Sequence, residues 1–192
     1  ANLVMVQEHK LLQGEEIAAA KITAYQLGWN SVMSAATGTG KCRSGGVAVL
    51  SRHGISLVER TVQTALHSRI VAAQVEAPGI PKFDALSGYF KDGPGMVGVN
   101  AELLADIGNF CDNSGRPGML GADFNANKRD VAATKLHHIL GGVIMAGGED
   151  QVATCTASKV HSSIDMFLVY GGLENGVQSV EVVRGTEVKT HR

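Results

Sequence analysis

Residues 118–125 read Gly-Met-Leu-Gly-Ala-Asp-Phe-Asn, a short apolar run that stops at a carboxylate, Asp123, and an amide, Asn125. Such a run reads as a buried strand handing its polar residues to a loop, and loops at strand ends are where sheet proteins commonly keep their chemistry. Alternation along a strand puts Asp123 and Asn125 on one side, so both could address a single ligand. A carboxylate there can orient a water and take its proton, while an amide can hold an anion. Asp165 stands out for a related reason, because it enters the apolar run Ile164-Asp-Met-Phe-Leu-Val-Tyr170. A carboxylate buried in a strand is costly without a partner, so Asp165 calls for one.

Other chemistries fit poorly. Cys42, Cys111 and Cys155 are odd in number and far apart with no Cys-x-x-Cys, which argues against a zinc site or a disulfide framework and reads as small core residues in a reducing compartment. His137 and His138 are adjacent and so should point to different helix faces, which does not suit joint metal binding. Gly38-Thr-Gly-Lys41-Cys42 invites a phosphate-loop reading, but Ala35 stands where that motif needs Gly and Cys42 where it needs Ser or Thr. Gly93-Pro-Gly95-Met-Val-Gly98 matches Gly-x-Gly-x-x-Gly, yet it lies mid-chain, Pro94 stiffens it and no clear strand with a terminal acid follows.

The elements that must position these residues alternate strand and helix. Residues 2–7 form a strand-like run ending at Glu8, and a strand this early with a carboxylate at its far end reads as a chain that has lost its beginning. Residues 15–27 show helix signals, with early acids, Gly28 at the end, and Ile17, Ala20, Ala24 and Leu27 as the packing stripe. Strands are expected at 29–36, 46–54, 68–76 and 83–90, the last two joined by a turn around Pro78-Gly79-Ile80-Pro81. A helix from Asn100 to Cys111, capped by Asn100 with Leu103, Leu104 and Ile107 inward, precedes the Asp123 strand. A helix over 130–140, a short strand over 141–147 and strands at 161–170 and 178–183 complete the chain.

In that order the pieces resemble a known family. Gly121-Ala-Asp-Phe-Asn125 resembles the Gly-Asp-Phe-Asn signature of the endonuclease/exonuclease/phosphatase superfamily, with Ala122 as one inserted residue. That is the fold of DNase I, apurinic endonucleases, inositol polyphosphate phosphatases and LINE-type retroelement endonucleases. Gln7-Glu8 matches its Gln-Glu strand, Tyr89 falls where a Tyr lies near the phosphate, and His161-Ser-Ser-Ile-Asp165 resembles its Ser-x-Ile-Asp strand. His191 matches the His of its Asp-His pair, with Thr190 where the Asp is expected. The resemblance implies an α/β fold of two mixed sheets packed face to face with helices outside, a four-layer sandwich over 1–192. By the same comparison its first and last strands are missing, and exposed edges where they belong would favour self-association.

The roles implied are a metal-dependent phosphodiester hydrolase, an endonuclease of apurinic or retroelement type with DNA as partner. Glu8 would hold the ion, Asp123 deprotonate water, Asn125 bind phosphate, and Asp165 orient His191 as charge stabiliser, with Tyr89 beside the phosphate. Oxygen ligands imply Mg²⁺ or Mn²⁺. Thr190 and the missing strands point to an impaired copy as the alternative, and a phosphatase of the same superfamily is a second alternative.

Composition narrows the setting. The 192 residues carry a net charge of -1 without a basic segment, so tight nonspecific nucleic-acid binding is not supported. Lys41, Arg43, Lys128 and Arg129 could still meet in space, with ordinary solvation the expected reading. No run of about 18 apolar residues suggests a membrane span, and residues 1–8 lack a signal-peptide pattern, which favours an intracellular setting.

Overall fold

The computed structural model describes residues 1–40, 42–147 and 164–181. It begins with β1 (Leu3–Val6), α1 (Glu15–Gln26) and the hairpin of β2 (Trp29–Thr37) and β3 (Ser44–Arg52). β3 is central in a three-stranded antiparallel sheet, with Val6 opposite Ala48 and Thr37 opposite Ser44. Helix α1 forms from an Ala-rich run whose first turn holds Glu15 and Glu16, which favours the positive end of the helix dipole. The Glu16 carboxylate accepts the Leu12 amide at 2.8 Å, satisfying the approach to the helix. Ile17 and Ala24 are buried, but Leu27 falls just past the helix and is exposed, so the packing stripe is shorter than expected.

The second sheet has six strands. β4 (Ser56–Arg60) pairs with β5 (Ile70–Ala77), which forms a hairpin with β6 (Ile80–Tyr89) across Pro78 and Gly79. Helix α2 (Val99–Ser114) crosses from β6 to β7 (Gly118–Asp123), which lies parallel to β6. Beyond α3 (Lys128–Ala133) and α4 (Leu136–Ile139) come β8 (Val143–Ala146) and β9 (Asp165–Tyr170), and the order is β4-β5-β6-β7-β9-β8. Only this sheet is mixed, through the one parallel β6–β7 pairing among the described residues.

Strand alternation divides the core in two. Phe83, Ala85 and Tyr89 of β6 face the smaller sheet and join Val32, Val47 and Val49 there. Leu86 and Phe90 face the other way, onto Leu103, Leu104, Ile107 and Phe110 of α2. With α1 lying against β2, the layers run helix, sheet, sheet, helix, as the resemblance implied. No helix among the described residues is long and apolar enough to cross a membrane.

Several local expectations change. Strand β4, half polar and five residues long, carries little apolar pattern and was not foreseen. The helix expected over 130–140 starts earlier, where Asn127 accepts the Asp130 amide, and breaks in two at Lys135, whose φ is 60°. The strand expected at 178–183 has no strand in its described part, and residues 182 and 183 lie outside the described residues. Cys111 is buried as expected, and burial pushes its thiol up to about 11; Cys42 is exposed instead, in the turn between β2 and β3, and Cys155 lies outside the described residues.

Two outcomes check this packing. Leu120, fully enclosed between β6, β9 and α2, is expected to cost about 2–5 kcal/mol in urea denaturation when replaced by Ala. Iodoacetamide at pH 8 is expected to modify Cys42 in the native protein and to leave Cys111 unmodified until urea is added, as read by peptide mass mapping.

Candidate functional site

Pairing register brings three distant residues side by side. Tyr89 lies opposite Asp123 across the parallel β6–β7 pair, and Asp123 lies opposite Asp165 across the antiparallel β7–β9 pair. Residues paired in this way share a sheet face and sit about 5 Å apart. Tyr89 points toward the smaller sheet, so all three line the space between the sheets at one end. The segment after β1 reaches the same end from the other side. Gln7 Nε2 donates to Ser87 Oγ and to Gly121 O, both at 3.1 Å, and Ser87 Oγ donates to Val6 O at 2.9 Å. Tyr89 OH then donates to Glu8 Oε1 at 3.0 Å.

Gly121 makes the close approach possible, since a Cβ there would lie 2.5 Å from Met5 Sδ. Ala122, the extra residue of the signature, makes no bulge. It pairs regularly between Gly88 and Met166 and faces the α2 core.

Asp123 is fully buried, and its Oδ1 accepts the Asn125 amide at 2.9 Å. Asn125 does not continue the strand alternation that was expected of it. β7 ends at Asp123, and Asn125 adopts φ 46°, a left-handed conformation that Asn tolerates better than most residues. Its Nδ2 donates to Phe90 O at 2.8 Å, which leaves the second amide hydrogen for a ligand. The turn is fixed from both neighbouring strands: Phe90 N donates to Asp123 O and Phe124 N to Ile164 O, each at 2.9 Å. Phe90 and Phe124 stack beneath it with centroids 4.8 Å apart.

Burial holds the Tyr89 phenol well above its usual range, and the Glu8 and Asp123 carboxylates add to that. It therefore stays a neutral donor at ordinary pH. Arg69 opposes the effect, with its guanidinium 5.1 Å from the ring centroid and bonds to Tyr89 O and Ser44 Oγ at 3.3 Å. Glu8 itself is partly exposed and lies 3.4 Å from Lys10 Nζ.

The donor set fits a hard cation sparingly. Among the described residues no group of three or more His, Cys, Asp or Glu could hold a metal ion. A magnesium site does not require one, because Mg²⁺ is commonly held by one or two carboxylates together with waters and substrate phosphate. Glu8, a partly exposed carboxylate among oxygen-bearing neighbours, suits such an ion and not zinc. His191 and Thr190 lie outside the described residues.

Asn100 corrects another expectation. Gly98 stands at the helix start, and Asn100, inside the first turn, is almost fully buried. Its Oδ1 accepts Lys91 N at 2.8 Å, and its Nδ2 donates to Lys91 O at 2.8 Å and Gly95 O at 2.7 Å. It ties down the loop after Tyr89 from within. The Gly93–Gly98 loop does sit in a β–α–β crossover, and the next strand does end in an acid, Asp123, contrary to expectation. Its interior is nevertheless filled by Asn100, which takes the Lys91 amide that an anion would need. Gly38 and Gly40 lie in the β2–β3 turn, with no helix following. The His137 and His138 rings, expected on different faces, touch at 4.0 Å between centroids in the single turn of α4.

Sequence reasoning missed Arg69 and the roles of Gln7 and Asn100, since each acts through tertiary contacts. Two clefts of about 630 and about 540 Å³ lie elsewhere, one beside Tyr25 and Trp29 and the other between α1 and Thr61.

The model of the Endonuclease/Exonuclease/phosphatase family matches residues 1–186. Among curated proteins none matches in sequence. Among solved structures, the human Nocturnin catalytic domain with bound sulfate is 14% identical, with 88% of this chain and 68% of that chain covered and a TM-score of 0.63. The endonuclease domain of TRAS1, a telomere-specific non-LTR retrotransposon, is 16% identical, with 91% and 75% covered and a TM-score of 0.63. D. rerio TDP2 complexed with single-strand DNA product is 11% identical, with 88% and 71% covered and a TM-score of 0.55.

Replacing Asn100 by Ala orphans Lys91 N and two carbonyls. The expected outcome is a loss of about 1–3 kcal/mol in urea denaturation with faster amide exchange at Lys91 by NMR.

Proposed function

The chain belongs to the endonuclease/exonuclease/phosphatase family, and from that premise we propose that it is a divalent-metal-dependent phosphodiester hydrolase acting on DNA, an endonuclease of apurinic or retroelement type. The observation that carries this reading is the convergence of Tyr89, Asp123 and Asp165 at one register, with Glu8 bonded to Tyr89 and Asn125 to Asp123. The likeness in fold to a retrotransposon endonuclease domain and to a DNA-bound TDP2 supports DNA as the substrate class.

In this reading Asp123, buried and aligned by the Asn125 amide, orients the attacking water and takes its proton. The free amide hydrogen of Asn125 binds a non-bridging phosphoryl oxygen, and neutral Tyr89 holds Glu8 in place while presenting a hydroxyl at the phosphate. Asp165 fixes the tautomer of His191, whose imidazole stabilises charge on the phosphate. Glu8 would hold Mg²⁺ or Mn²⁺, which supplies polarisation of the phosphoryl oxygen and stabilisation of the leaving oxyanion.

Thr190 favours a second reading, a catalytically impaired copy of the fold, because the resemblance places an acid there. Mg²⁺ or Mn²⁺ titration followed by thermal unfolding separates the two, with nicking of supercoiled plasmid, cleavage of an abasic duplex and hydrolysis of an inositol polyphosphate assayed beside it. The expected result is stabilisation by the ion, near 2.7 kcal/mol at a hundredfold excess over Kd, that disappears in Glu8→Ala. DNA cleavage should fall roughly 10²- to 10⁴-fold in Asp123→Ala. No stabilisation and no cleavage at millimolar ion would establish the impaired copy, and turnover of the phosphomonoester alone would make it a phosphatase.

A further inference from the structure

We propose that His9 is a positioning residue whose half-buried imidazole, wedged against Gly46, holds Glu8 in the backbone conformation that presents its carboxylate to Tyr89. Only the consequence for ion binding rests on the reading of Glu8 given above; the positioning itself does not.

The segment that carries Glu8 is unusual in its backbone. Glu8 has φ 53° and Lys10 has φ 59°, so two residues in the left-handed region flank His9. Neither Glu nor Lys favours that region, where Gly, Asn and Asp are the common occupants. A conformation of this kind persists only where its surroundings determine it, and it clusters at functional sites.

The surroundings here are specific. His9 N donates to Gly46 O at 3.0 Å and Lys10 N to Gly45 O at 3.2 Å, which pins the segment to the start of β3. The His9 imidazole then bends back on its own chain, with Nδ1 accepting Leu11 N at 3.1 Å. Leu11 O in turn accepts Ala36 N of β2 at 2.8 Å. With Nδ1 an acceptor, the proton sits on Nε2, the neutral form that burial also favours. Nε2 is enclosed, and the Val47 and Ser34 backbone lies within electrostatic reach of the ring. The ring is thus held by its shape, its Nδ1 bond and the backbone of Ser34 and Val47 around it.

Gly46 is what makes room for it. A Cβ there would lie 2.6 Å from His9 Cε1 and 2.7 Å from Nδ1, and one at Gly45 would lie 2.6 Å from Ser68 O. The imidazole occupies the volume that any side chain at 46 would need. Seated there, it fixes the direction in which the chain leaves Glu8, and Glu8 Oε1 arrives 3.0 Å from Tyr89 OH. A histidine that merely filled the core would not need two left-handed neighbours.

The test compares His9→Ala, His9→Asn and Gly46→Ala in the full chain, using the φ of residues 8 and 10 from NMR couplings and chemical shifts, and Mn²⁺ affinity from water-proton relaxation. His9→Ala and Gly46→Ala are expected to move Glu8 out of the positive-φ region and to weaken Mn²⁺ about 10- to 100-fold, the usual effect of losing an orienting partner. His9→Asn, whose side-chain oxygen can still accept Leu11 N, is expected to recover part of both and remains informative if the Ala variants fail to fold. A Glu8 that keeps its positive φ in the variants, even with a lowered Tm, overturns the proposal. Wild-type protein that binds no Mn²⁺ overturns Glu8 as the ion's ligand instead, and the φ readout then decides the positioning by itself.

Discussion

Asp123 is a carboxylate with no exposed surface at the end of a central strand, and burying such a group demands donors in fixed places. The Asn125 amide is one of them, and it is available only because the chain turns left-handed immediately after β7. That turn is held in its own right by Phe90 and Ile164 on either side, so the carboxylate, the turn and the two neighbouring strands form one unit. Parity does the rest. A slip of one residue would carry Asp123 into the α2 core and expel Phe124 from its stack on Phe90, and such slips are strongly opposed where both faces of a sheet are buried.

The space that Asp123 faces exists because two sheets are held together at that end by polar contacts as well as apolar ones. Gln7 crosses to Ser87 and Gly121, Ser87 returns to Val6, and Tyr89 reaches Glu8. Each contact spans eighty residues or more of chain, so the arrangement forms only when the whole sandwich has formed. The residues on which the proposed chemistry rests are therefore also the residues that set the spacing between the sheets, and a change at Gly121, where Met5 leaves no room, would disturb both.

What was legible in the sequence follows from this. Asp123 and Asp165 were visible because a charge inside an apolar run is anomalous on its own terms. Glu8 and Tyr89 were visible only through the order of pieces along the chain, since a strand-end Glu and a strand-end Tyr are individually ordinary. Asn100 was misread because an Asn beside a glycine at a helix start has the local pattern of a cap, and its partners Lys91 and Gly95 are fixed by the path of the preceding loop. Asn125 was expected to share Asp123's side by strand alternation, but β7 ends at Asp123 and a left-handed turn sets the place of Asn125 instead. The break at Lys135 and the wedge of His9 carry no sequence signal, since neither residue type announces a positive φ or a fit against a distant glycine.

The charge balance of the cluster bears on how it could receive an anion. Glu8, Asp123 and Asp165 bring three carboxyl groups to one end of the sandwich, and Lys10 and Arg69 place positive charge beside it. Tyr89 cannot relieve an excess of negative charge by ionising, because burial and the two adjacent carboxylates keep it protonated. A phosphodiester approaching these carboxyl groups is repelled by them, and Glu8, unlike Asp123, is partly open to solvent. Burial of Asp123 and partial exposure of Glu8 set two chemically similar groups in different environments. Dryness and alignment suit Asp123 to the proton transfer proposed for it, and partial exposure suits Glu8 to the proposed ion that would retain its waters.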